Sequence, residues 1–317
     1  MVAPKSLLAL AALLPACALA KTTSTFDPQH MVKPTFSIDK LPKKWEKGQV
    51  GTNQCDKWKP HNQNSMCQNV FFNSIHDFCL WGPIEPNSRI GSKEKEMVAY
   101  CTKEGYGTRL IPDGTIKRAH FVRAPSFFQL TGYGDFTKIG VRAKDDGGEL
   151  DSHGADGYGN PPGGIVFSRT IPGTNHKWTQ MHEWASFMSA TEFSFRACFD
   201  TAPEKLRLCP HQYDEMGARF SHPGDYGSGF DECHGDDGHF PGWYRMTKTV
   251  SGTAVYSSSF FWQGDAHTPK PHKPGKTSDC KSYATIKSGP AKVVPRDVEL
   301  PQITHVSGKR GHHFGHH

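Results

Sequence analysis

Eight cysteines constrain this chain more than any other feature. The sequence holds nine, but Cys17 lies in a stretch that reads as a secretory signal over residues 1–20. Lys5 supplies its positive end, Leu7 to Leu14 its apolar run, and Ala18-Leu19-Ala20 a small-x-small cleavage site. Cleavage there would leave Cys55, Cys67, Cys79, Cys101, Cys198, Cys209, Cys233 and Cys280. An even set in an exported chain reads as a disulfide framework made in an oxidising compartment. Eight thiols allow about a hundred pairings, and the count alone leaves them open. A cysteine nucleophile is not expected where every thiol can be paired.

The location expected from these features is extracellular, released or held at the cell wall by non-lipid contacts. The apolar run is too short to span a bilayer, and Gly311 to His317 lacks the hydrophobic tail of a GPI signal. No membrane anchor is therefore expected. No Asn-x-Ser/Thr sequon occurs, so N-glycosylation is not expected. The formal charge of +6 is mild for 317 residues, and its basic residues gather in 38–49 and 270–281. That pattern does not point to nucleic acid.

Residues 21–45 are poor in apolar side chains and read as an extended N-terminal arm. From 46 to 285 the pattern is that of one mainly β domain, a disulfide-stabilised sandwich or barrel-like fold with long Gly/Asp-rich loops. Strands are expected at Ile116 to Val122, Phe127 to Thr131, Ile139 to Arg142, Gly164 to Ser168, Glu192 to Cys198 and Thr253 to Trp262. In Glu192 to Cys198, Phe193, Phe195 and Ala197 fall on one face and Glu192, Ser194, Arg196 and Cys198 on the other. Glu94 to Tyr100 is expected to make one or two helical turns. Ala266 to Ser278, rich in Pro, Lys and His, reads as a linker or strapped surface segment, and 286–317 as a disordered basic, His-rich tail.

The densest backbone chemistry lies between Lys144 and Phe167, where glycines and prolines punctuate Asp145, Asp146, Glu149, Asp151, His153 and Asp156. Glycine at that density means tight turns, and carboxylates on such a loop can hold a cation. Asp151, His153 and Asp156 are the candidate binding and metal residues there, with His182, Glu183 and His120 as partners from elsewhere. The spacing is not that of an EF-hand, because the fifth and twelfth positions from Asp151 are Ala155 and Pro162. The alternative is a solvated connection between strands. A second Gly/Asp/His stretch, 220–239, could share a surface with the first. Tyr158, Tyr226, Phe240, Trp243 and Tyr244 would either stack on a sugar or protein there or pack their own loops.

Glycosidase chemistry needs two carboxylates about 5–10 Å apart, and Asp145, Glu149, Asp151, Glu183, Asp231 and Glu232 supply too many candidates to single out a pair. In the tail, cleavage after Lys309-Arg310 would expose Gly311-His312-His313, an amino-terminal metal chelate, which adds His312 and His313 to the metal candidates.

Several segments together resemble a known family. They are Gly51 to Cys55, Asp77 to Pro83, Val98 to Thr102, Gly107 to Gly114, Gly148 to Gly157, His182-Glu-Trp184, Phe193 to Cys198, Cys209-Pro-His211, Tyr213-Asp214 and Phe261 to Gly264. The combination, spread over roughly 45–285, is similar to the basidiomycete macrophage-activating glycoproteins, which are secreted and have no catalytic residues to carry over. That family has further cysteines at the positions of Ser194 and Ala218. Their joint absence here implies a bridge in relatives enclosing Cys198 and Cys209. The resemblance thereby implies the pair Cys198–Cys209; local pairing then suggests Cys55–Cys67 and Cys79–Cys101, which leaves Cys233–Cys280. The expected protein is a secreted fungal effector or virulence factor, with a host protein or wall polysaccharide as partner. A metal-dependent or carbohydrate-active enzyme and a plain wall glycoprotein are the alternatives. No cofactor is specified beyond a candidate divalent metal.

Overall fold

Short apolar runs stopped by Gly, Pro and Asp become strands, and their buried faces dictate how the strands assemble. The computed structural model describes residues 34–41, 55, 61–155, 157–251 and 253–287. The expected signal, most of the N-terminal arm, nearly all of the tail, Asp156, His312 and His313 lie outside them.

Six strands form one sheet: β1 (Val70–Ser74), β2 (Asp77–Pro83), β3 (Met97–Cys101), β4 (Arg109–Leu110), β8 (Val166–Ser168) and β9 (Thr179–Met181), in the order β4-β3-β2-β1-β8-β9. Seven form the other: β5 (Ile116–Arg123), β6 (Phe127–Gly134), β7 (Gly148–Asp151), β10 (Glu183–Met188), β11 (Glu192–Cys198), β12 (Phe230–Gly235) and β15 (Thr277–Tyr283). Their order is β15-β12-β5-β6-β11-β10-β7. A separate two-stranded ribbon pairs β13 (Trp243–Val250) with β14 (Thr253–Phe260). Three short helices are α1 (Ile90–Lys93), α2 (Lys205–Leu208) and α3 (Ala218–Ser221). No helix among the described residues is long and apolar enough to cross a membrane.

The two large sheets face each other across an aromatic core, as a β-sandwich does. Trp81 of β2 stacks on Trp184 of β10 with ring centroids 4.4 Å apart, and Phe72 of β1 stacks on Phe195 of β11 at the same separation. Phe193, Phe195 and Ala197 belong to this core, so the alternation in β11 reads correctly from the sequence. Ser194, Arg196 and Cys198 face the other way and are buried too, because the segment from Phe199 to Tyr226 lies over the outer face of the sheet. Arg196 donates to Leu208 O and Gln129 donates to Pro223 O across this layer. Ile38 and Ile286, just outside the expected 46–285, are buried in the same core.

Two local expectations fail. Glu94 to Tyr100 makes one 3-10 turn at Glu94–Glu96 and then becomes β3. All five β3 residues are buried between β2 and β4, and sheet burial overrides the helical preference of Glu, Lys and Met. Ile139 to Arg142 is not a strand: a 3-10 turn over Phe136–Ile139 ends at Gly140, whose φ of 96° only glycine adopts freely, and Val141 makes a single bridge to Ser88. The Pro/Lys/His stretch after Ala266 is strapped down, with Lys270 O accepting from the Tyr244 hydroxyl and His272 bonded to Trp243 O.

The cysteines pair as Cys55–Cys67, Cys79–Cys101, Cys198–Cys209 and Cys233–Cys280, as expected from the resemblance for Cys198–Cys209 and from local pairing for the rest. Ser194 bonds His222, which ends the helix that Ala218 begins.

Candidate metal centre

The loop after β7 is a closed, buried turn rather than a solvated connection. Asp151 and Asn160 exchange backbone hydrogen bonds, and Gly159 N donates to His153 O at 2.8 Å. Gly154 (φ 59°) and Gly159 (φ 88°) make the reversals. The Asp151 carboxylate accepts from the N–H groups of His153 and Gly154 at 2.6 and 2.7 Å, which fixes the turn that carries His153.

Sheet register then decides what His153 meets. Asp151 lies opposite Ala185 in the β7–β10 pair, and Ser152 N donates to Trp184 O, so His153 arrives opposite Glu183. On the other side of β10, Glu183 lies opposite Cys198 of β11. The Cys198–Cys209 disulfide brings a third segment over this row, and His211 follows two residues later. His153 Nε2 and Glu183 Oε2 are 2.8 Å apart, and the His153 and His211 rings stack at 3.6 Å. One ligand atom from each of His153, Glu183 and His211 lies within 4.8 Å of the others. His153 and Glu183 are only 1% and 6% exposed.

A carboxylate cluster borders this set. Glu149 is two residues before Asp151 on the same strand face and is 4% exposed. Burial, then the charge of Asp151, then hydrogen bonding with the Asp214 carboxyl and its charge, hold the Glu149 carboxyl well above the ordinary range. Burial also pushes Asp151 up, against the N–H groups of Gly154 and His153 that lower it. Glu94 is raised to about 7 by burial and then by Asp151 and Asp214.

This last value has a measurable consequence. Between its ordinary 4.5 and about 7, Glu94 keeps its proton in the native state while the unfolded chain has lost it. Stability therefore falls as pH rises through that window, and the whole cost of ionising the group is present above it. Glu94→Gln is neutral throughout. With EDTA present, its melting temperature should match that of the parent near pH 4.5 and exceed it by about 3 °C near pH 8. A difference independent of pH would contradict the assignment.

Other expected residues are used elsewhere. His182, on the opposite face from Glu183, bonds Asp200 at 2.6 Å and Thr35 at 3.1 Å. The His182 hydrogen bond lowers the Asp200 carboxyl in spite of its burial. His120 lies 3.0 Å from Asp231, beside a cavity of about 180 Å³ that Arg196, Asp237 and Lys273 also line. Two strands, β6 and β11, separate β5 from β10. At ~4.8 Å per strand, His120 and Glu183 belong to sites about 14 Å apart, so His120 is not a further ligand of the set. Asp145 caps Ile90 N, and Glu232 binds Arg123 at 2.6 Å. Tyr226 packs with Phe187 and Ala218, Trp243 lies under Arg207, and Tyr244 stacks on His272. Each of these aromatics is engaged by another segment of the domain. His211 entered the sequence reading only as part of a family motif. Its signal was its place two residues after a cysteine that can bridge to Cys198.

The donor set is two imidazoles and a carboxylate, which suits first-row transition metals better than Ca²⁺ or Mg²⁺. No protein-family model matches the chain, and no solved structure does. It is similar to appressorium protein ROW2 of the basidiomycete Mycosarcoma maydis, 47% identical over 90% of this chain and 91% of that protein. It is also similar to appressorium protein ROW1 of the same fungus, at 45% identity over 76% of this chain and 53% of that protein. The chain belongs to the fungal protein family that contains ROW1 and ROW2.

Proposed function

We propose that this chain is a secreted fungal protein that acts at the cell surface or host interface during infection, as an effector or virulence factor. The observation that carries this reading is the 47% identity, over nine-tenths of the chain, to a protein named for the appressorium. Four disulfides support export, because such bonds persist in oxidising compartments. The partner on this reading is a host protein or a wall polysaccharide. Membership of the macrophage-activating glycoproteins is a finer form of the same proposal, resting on the shared motifs.

A second reading is a metal-dependent or carbohydrate-active enzyme. The set of buried His153 and Glu183 with half-buried His211, next to Asp151, favours it. Deleting the gene in the fungus that encodes it separates the infection reading from a wall-building role. Loss of growth in the host with normal growth and wall integrity in culture is the expected result. Equal defects in both settings would sink it.

A further inference from the structure

We propose that His153, Glu183 and His211 bind one divalent first-row transition metal ion, of which Zn²⁺ is the simplest case. Three separate segments supply the ligands: the closed turn after β7, the first residue of β10, and the stretch that follows Cys209. Each is fixed independently of any ion. Asp151 holds the turn through two backbone N–H groups, the β10 register sets Glu183, and the disulfide to Cys198 holds the approach to His211. This is the preorganisation a metal site needs, with supporting groups orienting the ligands.

The distances fit. Ligand atoms on a tetrahedral ion with ~2.1 Å bonds lie roughly 3.4 Å apart. A set already within 4.8 Å needs shifts of about 1 Å to close, and the His211 ring must also turn out of its parallel stack on His153 so that both in-plane lone pairs meet the ion. A single proton joins His153 Nε2 to Glu183 Oε2 in the metal-free geometry, and the ion takes its place. Two imidazoles and one carboxylate leave a coordination position for water or a ligand. The electrostatics also favour a cation. Asp151 is buried within two residues of His153, and an ion of charge +2 would lie close to its carboxylate. His182 is excluded because its ring is committed to Asp200 and Thr35.

This proposal does not depend on the infection reading. A chain that acts in infection without metal, and one that binds metal without acting in infection, are distinguishable results. The test uses the full secreted chain with His305, His312, His313, His316 and His317 changed to Ala, so that tail histidines do not bind the probe. After EDTA treatment and dialysis, calorimetry with Zn²⁺ alone should give about one ion per chain. Glu183→Gln and His211→Ala should each weaken binding by more than the roughly 10- to 100-fold typical of losing a residue that only orients a ligand. His182→Ala should leave binding unchanged. Should a variant fail to fold by circular dichroism, X-ray absorption of the Co²⁺-loaded parent decides, with scattering from two imidazoles expected. Absence of stoichiometric Zn²⁺, unchanged affinity in either folded ligand variant, or fewer than two imidazoles would overturn the proposal.

Discussion

Trp184→Ala should lower the free energy of unfolding by about 3–5 kcal/mol. Trp184 has no exposed surface, stacks on Trp81 at 4.4 Å and meets Phe195 edge-on at 6.3 Å. It is therefore a central contact between the two sheets, and its loss leaves a cavity bounded by rigid backbone. Gly164 approaches so closely that a Cβ there would lie 2.9 Å from the Trp184 ring, so the loop already fills what space it can. Trp262, which is 58% exposed, is the control, and Trp262→Ala should change stability by no more than about 0.5 kcal/mol. Guanidinium denaturation of both variants checks the contrast. Equal effects would mean that the sandwich core is not organised around this residue.

The disulfides should separate stability from site geometry. Cys233 and Cys280 are 47 residues apart, while Cys198 and Cys209 are 11 apart. On the chain-entropy view, removing the first costs about 4 kcal/mol and removing the second nearly 3 kcal/mol. The functional order should be the reverse. The longer bridge joins β12 to β15 at the far edge of the sheet. The shorter one holds the approach to His211 over Glu183. Cys198→Ala/Cys209→Ala should thus lose Zn²⁺ affinity by at least about 10-fold, while Cys233→Ala/Cys280→Ala keeps it despite the larger loss of stability. Loss of affinity in proportion to stability in both pairs would contradict a specific role for the Cys198–Cys209 bridge.

Much of the sandwich was legible because period-two patterns speak for themselves where one face meets the apolar core. In β11 the alternation of Phe193, Phe195 and Ala197 with Ser194, Arg196 and Cys198 gave both the strand and its inner face. It did not reveal that the outer face would also be covered, since the segment that buries Arg196 and Ser194 comes from Phe199 to Tyr226. Met97 to Cys101 was misread because a strand buried on both faces has no alternation to detect.

The site was half legible for the same reason. His153 and Glu183 stood out through residue type and local glycine density. His211 joins them only through a disulfide and the register of three strands, which no local window contains. His182 was attractive by adjacency to Glu183, yet neighbours in a strand point to opposite faces. Asp151 proved to be a turn-forming residue, because its carboxylate is already taken by two backbone N–H groups.

The most direct test is Zn²⁺ calorimetry of the full secreted chain, with its tail histidines changed to Ala, against the same chain carrying Glu183→Gln. Glutamine keeps the size of the side chain and a hydrogen-bond acceptor for His153, but removes the charge that completes the donor set. About one ion per parent chain is expected, with affinity lowered by more than roughly 100-fold in the folded variant. Equal, stoichiometric Zn²⁺ binding by parent and variant would contradict the assignment.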